Sequence, residues 1–186
     1  MKKAILMLSI LTVMSFAASA GGPVTEQPLP GKTEEKPKMT AVEYAYDDLA
    51  KISDHWTAGI GFGGTTLIGK VKKDGFGYQY SEVGFSSLLG IGFTWYSGQP
   101  TEAQINDALA KIRGENGAMV PEKDLPSMVR GATGITSLNY FELGTVALIL
   151  PLNAEIGKQW IWSDNWRARL GVGLPTLISV GINYDF

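Results

Sequence analysis

The chain has one histidine and no cysteine. His55 follows Ser53 by two residues in ISDHWTAG, so on an extended backbone the two side chains share a face. A serine beside an imidazole is the minimum for base-assisted nucleophilic attack, but catalysis also needs a partner that orients the base. No motif around His55 supplies one, and a polar pair at the rim of a strand is the ordinary reading. A lone histidine excludes a His-rich metal site. The lack of cysteine excludes disulfide staples and an N-terminus lipidated on cysteine. No metal, cofactor or catalytic residue is expected.

Two glycine motifs fail on context. Gly59 to Gly64 fits G-x-G-x-x-G, but Thr65, Thr66, Ile68 and Val71 continue as strand where a dinucleotide fold needs a helix. GTTLIGKV nearly fits the phosphate loop, yet Val71 replaces the hydroxyl that would hold magnesium. The formal net charge of -2 offers no basic footprint for nucleic acid.

A second set of chemically capable residues flanks WIWSDNW. Ser163, Asp164 and Asn165 favour a tight turn. A turn centred on Asp164 sets Ile161 opposite Arg167, Gln159 opposite Arg169 and Glu155 opposite Gly173. The next turn, near Gly173 to Thr176, brings Asn183 or Asp185 across from Arg167. The expected result is a polar cluster of Glu155, Gln159, Arg167, Arg169, Asn183 and Asp185. Buried charges survive when paired, so the cluster reads as a plug that sets strand register, with an anion or solute site as the alternative.

The elements that must carry these groups are written with a period of two. Trp56, Ala58, Ile60 and Phe62 oppose Thr57, Gly59, Gly61 and Gly63; Leu89, Ile91, Phe93 and Trp95 oppose Gly90, Gly92 and Thr94. WRARLGVGL and LISVGINYDF repeat the pattern. Strands are expected at 55–63, 64–72, 76–86, 88–97, one or two within 132–150, then 153–162, 166–174 and 177–186. Glycine on one face suits a crowded barrel lumen. All five tryptophans, Trp56, Trp95, Trp160, Trp162 and Trp166, lie in or beside strands, as in a girdle at a membrane–water interface; Tyr96 is counted with them. No mature segment approaches the ~18 apolar residues of a membrane helix, while these strands match the ~9–11 residues of a tilted membrane strand. The fold class is therefore all-β: an antiparallel up-and-down transmembrane barrel of about eight strands. Its lumen should be filled by side chains rather than open to conduction.

Residues outside that pattern have their own signatures. Lys2 and Lys3, an apolar run from Ala4 to Phe16, and Ala18-Ser19-Ala20 make residues 1–20 a secretory signal peptide. Residues 21–40, rich in Pro, Glu and Lys, read as a disordered tether before a barrel spanning 41–186. At the start of that span, both a short helix and a first strand fit. Thr101 and Gln104 have capping-box spacing, and Ile105, Ala108, Leu109 and Ile112 form an apolar stripe ended by Gly114. That predicts one amphipathic helix over about 101–113; it would cap the barrel mouth, lie on the membrane or dock a protein partner. Residues 115–130, with Pro121 and Pro126, read as loop.

The last residues resemble the C-terminal signal of Gram-negative outer-membrane β-barrels: Phe186 at the end, preceded at every second position by Tyr184, Ile182, Val180 and Ile178. GKQWIWSDNWR resembles a hairpin of small members of that group. The resemblance covers the two ends of the chain well and the middle by pattern alone. It implies a location in the bacterial outer membrane, recognition by the barrel assembly machinery, contact with outer-membrane lipid, and a structural, adhesive or narrow solute-binding role. Lipid-modifying outer-membrane barrels are similar in size and use His with Ser, which keeps an enzyme as an alternative; a soluble periplasmic β-sandwich is the other.

Overall fold

The computed structural model describes residues 38–42, 45–148 and 150–186. The signal peptide expected over 1–20 and the tether as far as residue 37 lie outside the described residues. In chain order the elements are β1 (Met39–Ala41), α1 (Ala45–Leu49), β2 (Ser53–Phe62), β3 (Thr66–Lys73), β4 (Gln79–Ser86), β5 (Ile91–Ser97), α2 (Glu102–Asn116), β6 (Met119–Pro121), α3 (Leu125–Thr133), β7 (Ser137–Val146), β8 (Leu150–Ile161), β9 (Trp166–Leu174) and β10 (Leu177–Asp185). Eight of the strands close an antiparallel barrel in the order β10-β2-β3-β4-β5-β7-β8-β9. Within 132–150 there is one barrel strand, β7.

Alternation decides which way each side chain points. On β5, Gly92, Thr94 and Tyr96 are buried while Ile91, Phe93 and Trp95 are exposed. On β9 and β10 the inward residues are Arg167, Arg169 and Gly171, then Ser179, Gly181, Asn183 and Asp185. Tyr96, grouped by sequence with the girdle, has the inward parity and is buried. The seam closes where the backbones of Trp56 and Phe186 exchange hydrogen bonds of 3.1 and 2.8 Å.

The two ends of the barrel differ. At one end lie the short turns at 63–65, 87–90, 147–148 and 175–176. The other end holds the start of β2, the end of β10 and the long segment between β5 and β7, which folds into a cap. There β1 pairs antiparallel with β6, so Met39 and Thr40 are strand residues where a tether was expected. Val42 is fully buried beside them, and Lys38 Nζ meets Glu122 Oε2 at 2.8 Å.

In the cap, α2 has Thr101 as its N-cap, with the reciprocal capping box to Gln104, and it buries Ile105, Ala108, Leu109 and Ile112. It runs past Gly114, which is exposed, to Asn116, and Gly117 with φ +91° ends it. Residues 115–130 are not all loop: α3 occupies Leu125–Thr133, with Pro126 in its first turn, where the missing N–H costs nothing. Its Leu125 and Val129 join the α2 stripe, Phe76 and Tyr78 in one apolar core. That core continues into the barrel mouth through Leu138, Tyr140 and Ile161. The stripe of α2 is thus covered by the chain's own cap.

Arg130 pins the cap to the barrel turns. Its Nη1 donates to the Phe76 carbonyl at 2.6 Å and its Nη2 to Asp164 Oδ1 at 2.6 Å. Gly77 is required here, since its φ is +90° and an added Cβ would stand 2.8 Å from Arg130 Nη1. In the same turn Asp74 accepts from the Tyr78 N–H at 2.9 Å and the Tyr80 hydroxyl at 3.0 Å. Burial raises the Asp74 carboxyl above the ordinary range, and those hydrogen bonds oppose the rise.

Candidate functional site

The lumen holds the charged groups, and the register explains how they meet. Ile161 pairs with Arg167, Gln159 with Arg169 and Glu155 with Gly173; Asn183 pairs with Arg167 from the other side. Asp185 lies two residues beyond Asn183, on the same face. Glu155, Gln159, Arg167, Arg169, Asn183 and Asp185 are all buried inside the barrel.

Two clusters form, one above the other. Nearer the cap, Arg167 uses every guanidinium nitrogen. Its Nε and Nη2 reach Asp185 Oδ1 at 3.1 and 2.8 Å, and Nη1 reaches Glu82 Oε2 at 2.7 Å. Nη2 also donates to Thr57 Oγ1 at 2.8 Å and Nη1 to Gln159 Oε1 at 3.1 Å and Tyr96 OH at 3.3 Å. Lys73 Nζ lies 3.5 Å from Asp185 Oδ2 and donates to the Asp164 carbonyl at 2.9 Å. The planar fork of arginine is what allows one side chain to satisfy so many acceptors.

Nearer the short turns, Arg169 Nη2 bridges Glu142 Oε2 at 2.7 Å and Glu155 Oε1 at 2.9 Å. Hydroxyls from Tyr140 and Ser179 donate to Glu155, and Thr94 donates to Glu142 at 3.0 Å. The Arg169 guanidinium carbon stands 4.3 Å from the centre of the Tyr140 ring, a cation–π contact. Together the clusters hold three cations (Lys73, Arg167, Arg169) against four carboxylates (Glu82, Glu142, Glu155, Asp185), all buried.

Both mouths of the lumen are occupied. At the short-turn end, Gly64 lies against the lumenal acids: an added Cβ would stand 2.6 Å from Glu142 Oε1 and 2.9 Å from Glu155 Oε2. Ser87 ties that turn down, its hydroxyl donating to the Gly63 carbonyl and its N–H to the Thr65 carbonyl at 2.8 Å. The apolar core of the cap fills the other mouth. Side chains thus fill the lumen at both ends, as the interior width of an eight-stranded barrel allows.

The sequence reading did not find Glu82, Glu142, Tyr96, Tyr140 or Lys73 as members of the clusters. The signal was present. Each has the inward parity of its strand, and a carboxylate at that parity among glycines, as in SEVGFS or FELG, marks a lumenal charge.

The outer wall is the reverse of the lumen. Ile178, Val180, Ile182, Tyr184 and Phe186 point outward, as do Trp56, Trp95, Trp160, Trp162 and Trp166. The five tryptophans all lie toward the cap end. Trp95 stacks on Phe141 with centroids 5.9 Å apart, and Trp166 meets Tyr184 at 4.9 Å. Ser53 Oγ and His55 Nε2 are 2.9 Å apart at the rim of β2, exposed. Among the described residues no carboxylate is hydrogen-bonded to the other ring nitrogen, so the pair lacks the orienting partner of a catalytic triad.

Comparisons with protein-family models, curated proteins and solved structures found no match to this chain.

Replacing Arg169 by Met leaves Glu142 and Glu155 buried without a counter-ion, a change expected to cost about 3–5 kcal/mol. The folded barrel should then unfold at lower urea, followed by tryptophan fluorescence, and adding Glu142→Gln to Arg169→Met should recover part of the loss. An Arg169→Met variant with an unaltered midpoint would contradict the role given to this pairing.

Proposed function

We propose that this protein is an integral β-barrel of a bacterial outer membrane, non-conducting, which anchors a helical cap on the periplasmic side as a structural or interaction element. One observation carries the reading: the polarity of the barrel is inverted relative to a water-soluble one. Ions and amides fill the interior, while the wall presents residues such as Ile60 (75 % exposed), Leu177 (69 %) and Leu89 (61 %). Apolar surface on that scale is a membrane or partner contact. Among the described residues no helix is long and apolar enough to cross a membrane, so the barrel strands are the candidates for crossing.

The distribution of charge supports an orientation. Residues 57–69, 83–101, 143–154 and 170–184, which include the short turns, contain no charged residue. Asp54, Lys70, Lys72 and Lys158, the outward charges of the barrel strands, fall in the cap half, and the cap itself is rich in Asp, Glu and Lys. A barrel entering the membrane from the periplasm would lead with its uncharged turns. The polar N-terminal segment and the cap would stay behind, since carrying their charges through lipid is costly.

The apolar stretch of β2 is also short. From Trp56 to Phe62 the wall rises about 15 Å, six steps of ~3.3 Å on a strand tilted ~40°. That falls short of the ~25 Å apolar band of outer-membrane barrels, so the uncharged turns would lie in the acyl layer. Their backbones are suited to it: Ala147 N–H donates to the Leu88 carbonyl and Leu89 N–H to the Ser86 carbonyl, each at 3.0 Å, as a medium without water requires.

Because the chain has no cysteine, single-cysteine reporters test this topology. After outer-membrane permeabilisation a membrane-impermeant maleimide should label Glu115→Cys and should leave Leu89→Cys and Leu177→Cys unmodified from either side. Labelling of both tip positions in intact cells contradicts the buried tip.

The Ser53–His55 contact favours one second reading, a lipid-modifying enzyme. His55→Ala is expected to leave the lipid composition of the envelope unchanged; a lipid species that disappears in the variant would establish the enzyme instead.

A further inference from the structure

The outward face of β2 to β5 carries a graded patch that no lumenal or cap role uses. Cross-strand pairing arranges it in rows. Asp54, Lys72, Ser81 and Trp95 form the row nearest the cap. Trp56, Lys70, Val83 and Phe93 form the next, and Ala58, Ile68, Phe85 and Ile91 the third. The first row is polar, the third is apolar, and the second sets one ammonium among apolar neighbours. A groove of about 250 Å³ lies over the first two rows, lined by Lys70, Lys72, Ser81, Val83, Phe93 and Trp95, with Asp54 at its edge.

On the membrane reading above, on which this inference rests, we propose that the groove binds one phospholipid with an anionic headgroup. The phosphate sits between the Lys70 and Lys72 ammonium groups, and an acyl chain lies along Val83 and Phe93. Lysines two apart on one face of a strand stand ~7 Å apart at their bases, a span that one phosphodiester can bridge. Asp54 neutralises one of the two at most, which leaves net positive charge for the headgroup. Lys70 Nζ stands 5.1 Å from the centre of the Trp56 ring, so its charge is held at a defined place rather than swept through solvent. Ser81 supplies a hydroxyl beside Lys72, and Trp95 stands at the level where indoles favour the headgroup layer. The remaining outward lysine of the barrel, Lys158, faces Asn139 and Leu170 across its two ladders and has no second cation beside it.

The full chain, refolded into vesicles and extracted in mild detergent, is examined by native mass spectrometry for retained lipid, with phosphatidylglycerol and phosphatidylcholine as separate probes. One phosphatidylglycerol per chain is expected on the parent protein and on Lys158→Gln. Retention should fall on the order of tenfold in the Lys70→Gln/Lys72→Gln double variant, which must still show the heat-modifiable mobility of a folded barrel. Phosphatidylcholine should be held no better than by that variant. Equal retention of the two lipids, or an undiminished phosphatidylglycerol signal in the double variant, overturns the site while leaving the membrane reading standing. Displacement of the lipid by inorganic phosphate alone overturns it in favour of a free-anion site. Failure of the parent protein to enter vesicles of either lipid overturns both.

Discussion

Two arginines on one strand hold the barrel together from inside. Arg167 and Arg169, two positions apart on β9, hydrogen-bond to side chains on β2, β4, β5, β7, β8 and β10. The one strand they do not reach, β3, joins the network through Lys73 and Asp185. Such a hub is tolerable because each guanidinium faces two carboxylates. Removing one partner would leave an uncompensated charge where water cannot follow. The ladder of backbone bonds closes the cylinder, and the ionic hub selects the register in which it closes, since a slip of one residue would turn every charge outward.

From that hub the rest of the architecture follows. A lumen filled largely by paired ions leaves little interior for apolar side chains beyond the cap-side mouth, so most of these occupy the wall. The wall is then uniform in polarity only where the chain needs no charge, near the short turns. Toward the cap it acquires tryptophan, tyrosine and lysine, the residues suited to a boundary between oil and water. The cap has a conventional soluble core, built on the α2 stripe and α3, and it meets the barrel through Tyr96, Leu138, Tyr140 and Ile161. One molecule thus combines an inverted half and an ordinary half, with Arg130 and the turns around Asp74 and Asp164 as the joint.

Much of this is legible in the sequence. The hairpin about Asp164 could be paired correctly because Ser-Asp-Asn marks a turn and the period of two propagates the register from it. The capping box at Thr101 and the stripe through Ile112 are likewise local signals, and both appear in α2. Other features depended on tertiary context. Gly114 reads as a stop, but an exposed glycine within a helix costs only about 1 kcal/mol, and the packing of Ile112 carries the helix past it. The segment LPSMVRGAT reads as loop because of its proline, although a proline in the first turn is compatible with α3. Met39 and Thr40 lie in a sequence with little to bury, yet they pair with β6 because Val42 anchors the strand from below. Glu82 and Glu142 were missed because each is the single charge of its strand's inward face, and only the closed ring shows which arginine they meet.

The central claim is that alternate residues of the wall contact acyl chains while their neighbours fill a sealed, ionic interior. Nitroxide labels at Ile60→Cys, Leu170→Cys and Ile182→Cys in vesicle-reconstituted protein test it most directly, through collision rates with oxygen and with a water-soluble nickel chelate. The account predicts high oxygen and low nickel accessibility at all three, and the opposite at a label on Asp107 of the cap. Nickel accessibility at the wall equal to that at Asp107, or shielding of the wall from both reagents, would contradict it.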